Sequence, residues 1–322
     1  MTKIGKSDLD VFPLALGGNT FGWTSDESTS HDVLDAFVAA GGDFVDTADG
    51  YSSWVPGNTG GESETIIGEW MAARGNRDSV VIGTKVSQHP DFRGLAASNV
   101  LAAADASLAR LRTDRIDLYY AHFDDETVPL AETVAAFNDL VLAGKVRYVA
   151  LSNYSAERVE EWVGIAQAEG FALPVALQPH YNLVHREPFE KQLLPVAERN
   201  NLGVVPYSAL ASGFLTGKYR TKADESLSPR GGGASAYLNQ KGLAVLSELD
   251  AIADAITQAR DQPRATQRRG GVHLLARIVD KQNPAAPRPG PRRRRARRCP
   301  SPGGRPCWGR SRAASACCWP PG

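Results

Sequence analysis

The sequence predicts an α/β domain built on a parallel sheet, a (β/α)8 barrel in preference to an open sheet, and three observations point there. From Val11 to about Ile256, short runs rich in β-branched residues alternate with longer amphipathic stretches. Strict alternation of this kind implies parallel strands joined by right-handed helical crossovers. The chain has 322 residues, ample for one barrel of about 250. Alternation by itself fits an open doubly wound sheet equally well, but no G-x-G-x-x-G follows the first strand, where a dinucleotide-binding sheet would carry it.

Taken in order, the strand candidates are 12–16, 44–46, 80–84, 116–121, 146–151, 174–177 and 203–206. Each is an apolar run of the length expected for a buried parallel strand. Between them the helical patterns fall at roughly 30–41, 62–73, 96–111, 130–143, 155–168, 187–200 and 240–256. Thr29 with Asp32, and Ser155, read as helix starts, and Pro129 suits a first turn. In the last helix Leu246, Leu249, Ile252 and Ile256 share a face. The glycine-rich turn Gly17-Gly18-Asn19-Thr20-Phe21-Gly22-Trp23 follows the first strand.

The formal net charge of zero hides two opposed segments. Residues 1–259 hold 34 of the 36 acidic residues against 20 of the 36 Lys and Arg, an excess of 14 negative charges. Residues 260–322 reverse this, with 16 bases against 2 acids. The second segment also holds all four cysteines, 15 arginines and 10 of the 20 prolines. The body therefore has no disulfide framework and no thiolate metal site, which fits a reducing compartment. The tail composition is expected to stay disordered, with His273–Val279 as its one candidate for order. Its arginines could attract nucleic-acid phosphates without reading sequence, although a solvated tail is the simpler expectation. The longest apolar stretches fall far short of the roughly 20 residues a membrane helix requires. Met1–Asp10 has no apolar core of the kind a secretory signal carries, so a cytoplasmic address is the default.

In a parallel barrel the loops after the strands gather on one face, so polar residues at strand C-terminal ends are the first site candidates. Asp46 ends the second strand, Tyr51 follows five residues later, Lys85 ends the third strand and His122 the fourth. Singly each has a bland reading: the Asp caps a loop, the Lys is solvated, the Tyr or His packs in a core. Their joint order is what carries weight.

These four residues, each at its matching strand end, resemble the catalytic tetrad of the aldo-keto reductases. The resemblance runs from about Lys3 to Ile256. It includes Gly61-Glu62-Ser63-Glu64, Leu151-Ser152-Asn153, Leu177-Gln178 and the stretch from Pro206 to Tyr219. The branch it most resembles is that of the bacterial enzymes and potassium-channel β subunits. It implies a (β/α)8 TIM barrel and hydride transfer between NADPH, or NADH, and a carbonyl or alcohol substrate, with Tyr51 as proton donor. Lys85 would lower the pKa of that phenol by stabilising its phenolate, Asp46 would hold Lys85, and His122 would orient the substrate oxygen. The resemblance places the nicotinamide carboxamide against Ser152, Asn153 and Gln178, and its ring on Tyr207. Ser208, Ala209, Leu210, Ser212, Gly213 and Leu215 would wrap the pyrophosphate under Lys218, with Arg230 or Arg220 near a 2′-phosphate. Thr20 and Phe21 would also meet the cofactor. Trp23 and Trp54 would line the substrate mouth.

The chain departs from that family after Ile256. The eighth strand–helix unit is missing or degraded, and the Arg/Pro/Cys-rich tail stands where it would lie. Such a switch is what GC-rich coding DNA read in a shifted frame would give. Two alternatives accompany the enzyme reading: a nucleotide-binding regulatory subunit with little or no turnover, and nucleic-acid binding through the tail. Substrate identity and oligomeric state are outside what the residues specify.

Overall fold

The computed structural model describes residues 1–261, so the expectations about the tail and about His273–Val279 lie outside the described residues. Residues 1–255 form one compact unit. Its centre is a seven-stranded parallel sheet: β1 (Ala15–Gly17), β2 (Phe44–Asp46), β3 (Val81–Val86), β4 (Ile116–Ala121), β5 (Val146–Ser152), β6 (Pro174–Gln178) and β7 (Gly203–Val204). Neighbours in sequence are neighbours in space throughout, from β1 at one edge to β7 at the other. The alternation read from the sequence thus becomes strands in sequential order, which rules out the reversal of strand order that defines an open doubly wound sheet.

The sheet curls, and one hydrogen bond proves it. β2 and β6 are four positions apart, which in a flat sheet would separate them by about 19 Å at ~4.8 Å per strand. Gln178 Nε2, at the end of β6, donates to Asp46 Oδ1, at the end of β2, across 2.8 Å. Among the described residues the barrel has seven staves, and no strand lies between β1 and β7. The two edges are only three and two residues long, which limits the unpaired backbone they present.

A short antiparallel hairpin, Thr2–Lys3 with Asp10–Val11, packs on the N-terminal ends of the strands. Its turn needs Gly5, with φ at +52°, because a Cβ there would sit 2.2 Å from the Val175 carbonyl oxygen. Ile4, Leu9 and Val11 join Phe44, Leu118, Tyr120, Ala150 and Ala176 inside the barrel. A larger apolar layer lies between the sheet and its helices, built from residues such as Tyr119, Phe137, Val149, Trp162 and Leu177.

The helices are α1 (Glu27–Ala39), α2 (Glu62–Arg74), α3 (Ala97–Leu111), α4 (Leu130–Leu142), α5 (Ala156–Glu169), α6 (Leu194–Asn200), the short α7 (Gly231–Ser235) and α8 (Gln240–Asp261). Ser155 caps α5 as expected, accepting from the Arg158 amide. The cap of α1 is Asp26, not Thr29: the Asp26 carboxylate accepts from the Thr29 amide, so the helix begins a turn earlier than the apolar pattern suggested. Pro129 is the N-cap of α4 instead of a first-turn residue. On α8, Val245 and Leu246 are buried while Ile256 is 49% exposed, so the shared face ends before that residue.

Helices α2 and α3 approach so closely that Gly68 has no room for a side chain; a Cβ would lie 2.2 Å from the Arg110 carbonyl oxygen. Gly164 in α5 has nothing within 4 Å of the same position. Gly68→Ala should therefore cost about 1–3 kcal/mol by overpacking, whereas Gly164→Ala should add about 0.5–1 kcal/mol through helix propensity. Thermal melts followed by far-UV circular dichroism should move Tm in opposite directions; shifts of the same sign would contradict the packing described.

Candidate active site

The C-terminal ends of β2, β3 and β4 bring Asp46, Lys85 and His122 together, and the loop after β2 returns Tyr51 to the same point. Lys85 Nζ donates to Asp46 Oδ2 at 2.6 Å, to the Thr47 carbonyl at 2.7 Å and to Tyr51 Oη at 3.0 Å. These are three acceptors for the three protons of one ammonium. Lys85 has no solvent exposure, and its ammonium lies 4.8 Å from the Tyr51 ring centroid and 5.5 Å from that of Tyr120. The other Asp46 oxygen takes the Gln178 amide, so both ends of the carboxylate are engaged.

Burial works against the Lys85 charge, but Asp46 and then Tyr51 more than offset it, and the lysine pKa lies above its ordinary value. The Tyr51 phenol corrects an expectation. Lys85 does pull its pKa down, yet burial is the larger effect and the net shift is upward. At neutral pH the pair is an ammonium beside an intact phenol, and the phenol retains a proton to give. His122 lies with its ring centroid 6.0 Å from that of Tyr51. Burial first, then the Lys85 charge, push its pKa well below the ordinary imidazole value, so it is neutral.

A line of rings runs outward from Tyr51. Trp54 meets it at 6.4 Å, Trp23 meets Trp54 edge-on at 5.6 Å, and Trp54 is half exposed. A cavity of about 540 Å³ opens beside this group; Asp46, Tyr51, Gln178, Tyr207, Ser208 and Arg230 are on its wall.

Ser152, Asn153, Gln178 and Tyr207 are brought together, but their polar atoms are largely turned on one another. Ser152 Oγ donates to the Gln178 carbonyl, Asn153 Nδ2 donates to the His122 carbonyl and to Ser152 Oγ, and Tyr207 Oη donates to Asn153 Oδ1 at 2.8 Å. The loop after β7 is strained: Ser208, Ala211 and Ser212 have φ of +57°, +51° and +55°, followed by Gly213 at +92°. Left-handed backbone is uncommon for residues with a Cβ, and such runs turn amide groups toward anions. Lys218 Nζ sits beside this loop, 3.7 Å from where a Cβ on Gly213 would be. Ala209 and Leu210 are exposed, and Leu215 is half-buried. The Thr20 carbonyl closes its own turn by accepting from Trp23, Thr24 and Ser25. Phe21 is 1% exposed, with its ring packed among Ile66, Ile67 and Trp70.

Sequence reasoning missed several residues around the site. Glu64 is fully buried behind β3, accepting from Thr84 Oγ1 at 2.5 Å and from Arg110 Nε at 2.6 Å. Asp49, two residues before Tyr51, is also fully buried, and neither of its carboxylate oxygens has a hydrogen-bond partner.

The Aldo/keto reductase family profile matches residues 13–257. Norsolorinic acid reductase B of Aspergillus parasiticus is 32% identical over 264 residues, 77% of this chain and 67% of that protein. Aldo-keto reductase YhdN of Bacillus subtilis is 34% identical over 221 residues, 67% of this chain and 62% of that protein. A probable voltage-gated potassium channel subunit beta of Arabidopsis thaliana is 33% identical over 255 residues, 78% of this chain and 74% of that one. The chain spans 55–67% of the length of the norsolorinic acid reductases of Aspergillus.

Burial, then the charge of Glu64, push the Asp49 carboxyl up to about 8. A raised carboxyl pKa favours the folded state fully below the ordinary value of 3.8 and loses that contribution as pH rises toward 8. Asp49→Asn should therefore gain stability relative to the parent as pH climbs from 5 to 8, by up to roughly 1.4 kcal/mol per unit. Denaturant melts at pH 5, 6.5 and 8 check this; a constant difference across the three would mean that Asp49 does not titrate in that window.

Proposed function

The chain belongs to the aldo/keto reductase family, and from that premise we propose that it is an oxidoreductase interconverting an aldehyde or ketone with the corresponding alcohol. NADPH, or NADH, serves as hydride carrier, and Tyr51 is the general acid. The observation that carries the reading is the buried Lys85 ammonium 3.0 Å from the hydroxyl of Tyr51, a residue on the wall of a cavity that also reaches Tyr207 and the N-terminal hairpin. The residues present fit such a cofactor. Tyr207 stands on the cavity wall, and beyond it the left-handed run at 211–213 lies beside Lys218.

The bound cofactor supplies the hydride and carries the redox chemistry. The chain's own residues manage the proton. As negative charge builds on the carbonyl oxygen, Tyr51 releases its proton to it and the phenolate left behind is stabilised by Lys85. Burial keeps the phenol protonated before the reaction, and the same ammonium limits the cost of losing the proton during it. Asp46, held at its second oxygen by Gln178, keeps the ammonium in line. His122, neutral, has one ring N–H to donate to the substrate oxygen. Trp23 and Trp54 line the approach. Ser152, Asn153 and Gln178 would hold the carboxamide end of such a cofactor, and the loop from Ser208 to Leu215, with Lys218 and Arg230, would hold its phosphates.

The second reading, a nucleotide-binding regulatory subunit with little turnover, draws on the likeness to the probable voltage-gated potassium channel subunit beta of Arabidopsis thaliana. One experiment separates the two. Oxidation of NADPH, followed by its near-ultraviolet absorbance with a panel of aldehydes, should fall about 10²–10⁴-fold in Tyr51→Phe while NADP⁺ binding is retained. Equal turnover in the parent and the variant would remove Tyr51 from its role. Tight NADP⁺ binding with no turnover in either would support the regulatory reading.

A further inference from the structure

The aromatic approach to Tyr51 is made by two separate pieces of chain. Trp23 stands on the glycine-rich turn after β1 and Trp54 on the loop after β2, and their rings meet edge-on, with centroids 5.6 Å apart at 87°. Trp54 also meets the Tyr51 ring at 6.4 Å. Among the described residues no backbone–backbone hydrogen bond joins residues 20–25 to residues 51–58. The polar ties between the two pieces come from side chains.

Two residues that the catalytic reading does not use supply them. Ser52 is fully buried, and its Oγ donates to the Phe21 carbonyl at 2.7 Å. Asn58 Nδ2 donates to the Gly22 carbonyl at 3.0 Å and to the Ser52 carbonyl at 2.9 Å. Both protons of one amide are thus used, one on each piece of chain, and the reverse orientation would set an amide oxygen against two carbonyl oxygens. The Ser52 carbonyl also takes the Val55 amide at 3.1 Å, which closes the turn that carries Trp54.

Both ends of this clamp are anchored. On the turn side Phe21 packs its ring among Ile66, Ile67 and Trp70, and Gly22, with φ at +76°, lies so close to α2 that a Cβ would stand 2.8 Å from that of Glu62. On the loop side Glu62 Oε1 accepts from the Thr59 and Gly60 amides at 2.6 and 3.0 Å. Ser52, directly after Tyr51, has φ of +67°. Such backbone persists in a residue with a Cβ where surrounding bonds over-determine it, and Ser52 has three.

We propose that Asn58, acting with Ser52, is a positioning residue that fixes Trp54 against Trp23 and so sets the shape of the aromatic wall along which a carbonyl substrate reaches Tyr51. The inference rests on the reading of Tyr51 as general acid and of the two tryptophans as its approach. Rings held at a right angle offer a flat aromatic carbonyl compound one face to stack on and one edge to meet. A branched aliphatic aldehyde has no face to use. The proton path is anchored elsewhere, since Lys85 holds Tyr51 from Asp46 and Thr47. Loss of the Asn58 amide therefore acts on capture of a flat substrate and leaves the proton step in place.

The test uses the full chain as parent, Asn58→Ala, Trp54→Ala and the double variant, each checked for folding by a thermal melt. The far-ultraviolet exciton couplet of the tryptophan pair, taken as the difference in circular dichroism from Trp54→Ala, should collapse in Asn58→Ala. With NADPH, KM for benzaldehyde should rise about threefold to tenfold in Asn58→Ala, the size of one aromatic wall contact, with kcat nearly unchanged, as expected when binding alone is lost. KM for pivalaldehyde should change little. In the Trp54→Ala background the Asn58 substitution should add almost nothing, because the two act through one wall. If Asn58→Ala does not fold, Ser52→Ala, which removes only the tie to Phe21, is read in the same way. A parental couplet or a parental benzaldehyde KM in a folded variant overturns the proposal, as do equal rises for both aldehydes or a full further rise on top of Trp54→Ala. No NADPH oxidation by the parent with either aldehyde overturns the enzyme reading instead, and the couplet then decides the clamp by itself.

Discussion

The Lys85 ammonium is sealed from solvent at the C-terminal mouth of the barrel, and the surrounding structure answers to it. A buried charge of this kind persists only when every proton has an acceptor, and removal of one partner of such a pair typically costs about 3–5 kcal/mol. Asp46, the Thr47 carbonyl and Tyr51 meet that demand, and all three come from the end of β2 and the loop that follows it, while β3 carries the ammonium. Gln178 reaches across the barrel to hold the far oxygen of Asp46. Gly83 leaves the space this requires: a Cβ there would stand 3.2–3.5 Å from Phe44, Tyr120 and Asp46. The arrangement that raises the phenol pKa by burial while placing a cation beside it is thus a consequence of satisfying one ammonium, and the chemistry proposed for Tyr51 draws on it.

The opposite wall is built on different terms. After β7, which has only two residues, the loop carries the structure, with non-glycine residues in left-handed backbone at 208, 211 and 212. Each such residue costs roughly 1–2 kcal/mol, and the cost is offset by local bonding: Asn182 holds the Ser208 carbonyl, and Phe214 and Tyr219 bury their rings with Ala211 and Leu246 in a separate apolar cluster. Rigid strands fix the proton-handling side, whereas packed loops shape the cofactor side.

Much of this was legible in the residues. β2 and β4 fall on the expected residues, and β5 and β6 each extend one residue further, because buried parallel strands are nearly continuous apolar runs with a polar residue where the chain leaves the sheet. Lys85 is the instructive miss. Read from the sequence as the end of the third strand, it lies one residue inside the end of β3, paired with Tyr120 of β4, since a lysine whose charge is fully compensated can be carried inside a sheet. Asp26 was overlooked as a cap because Thr29 and Asp32 offer the same chemistry three and six residues later, and a one-dimensional pattern cannot rank them. Phe21 shows the converse error, an aromatic in a glycine-rich turn whose ring the core claims.

Composition and order alone specified the alternation of elements, the acidic body and basic tail, and the set of four polar residues on the β2, β3 and β4 units. Those properties are local or additive, so they survive in one dimension. Only the folded chain decided that Asp46 and Gln178 touch, that burial outweighs the ammonium at Tyr51, that Asp49 and Glu64 share a dry interior and that Asn58 reaches the Gly22 carbonyl. These depend on distances between residues far apart in sequence and on the exclusion of water, and neither exists until the sheet has curled.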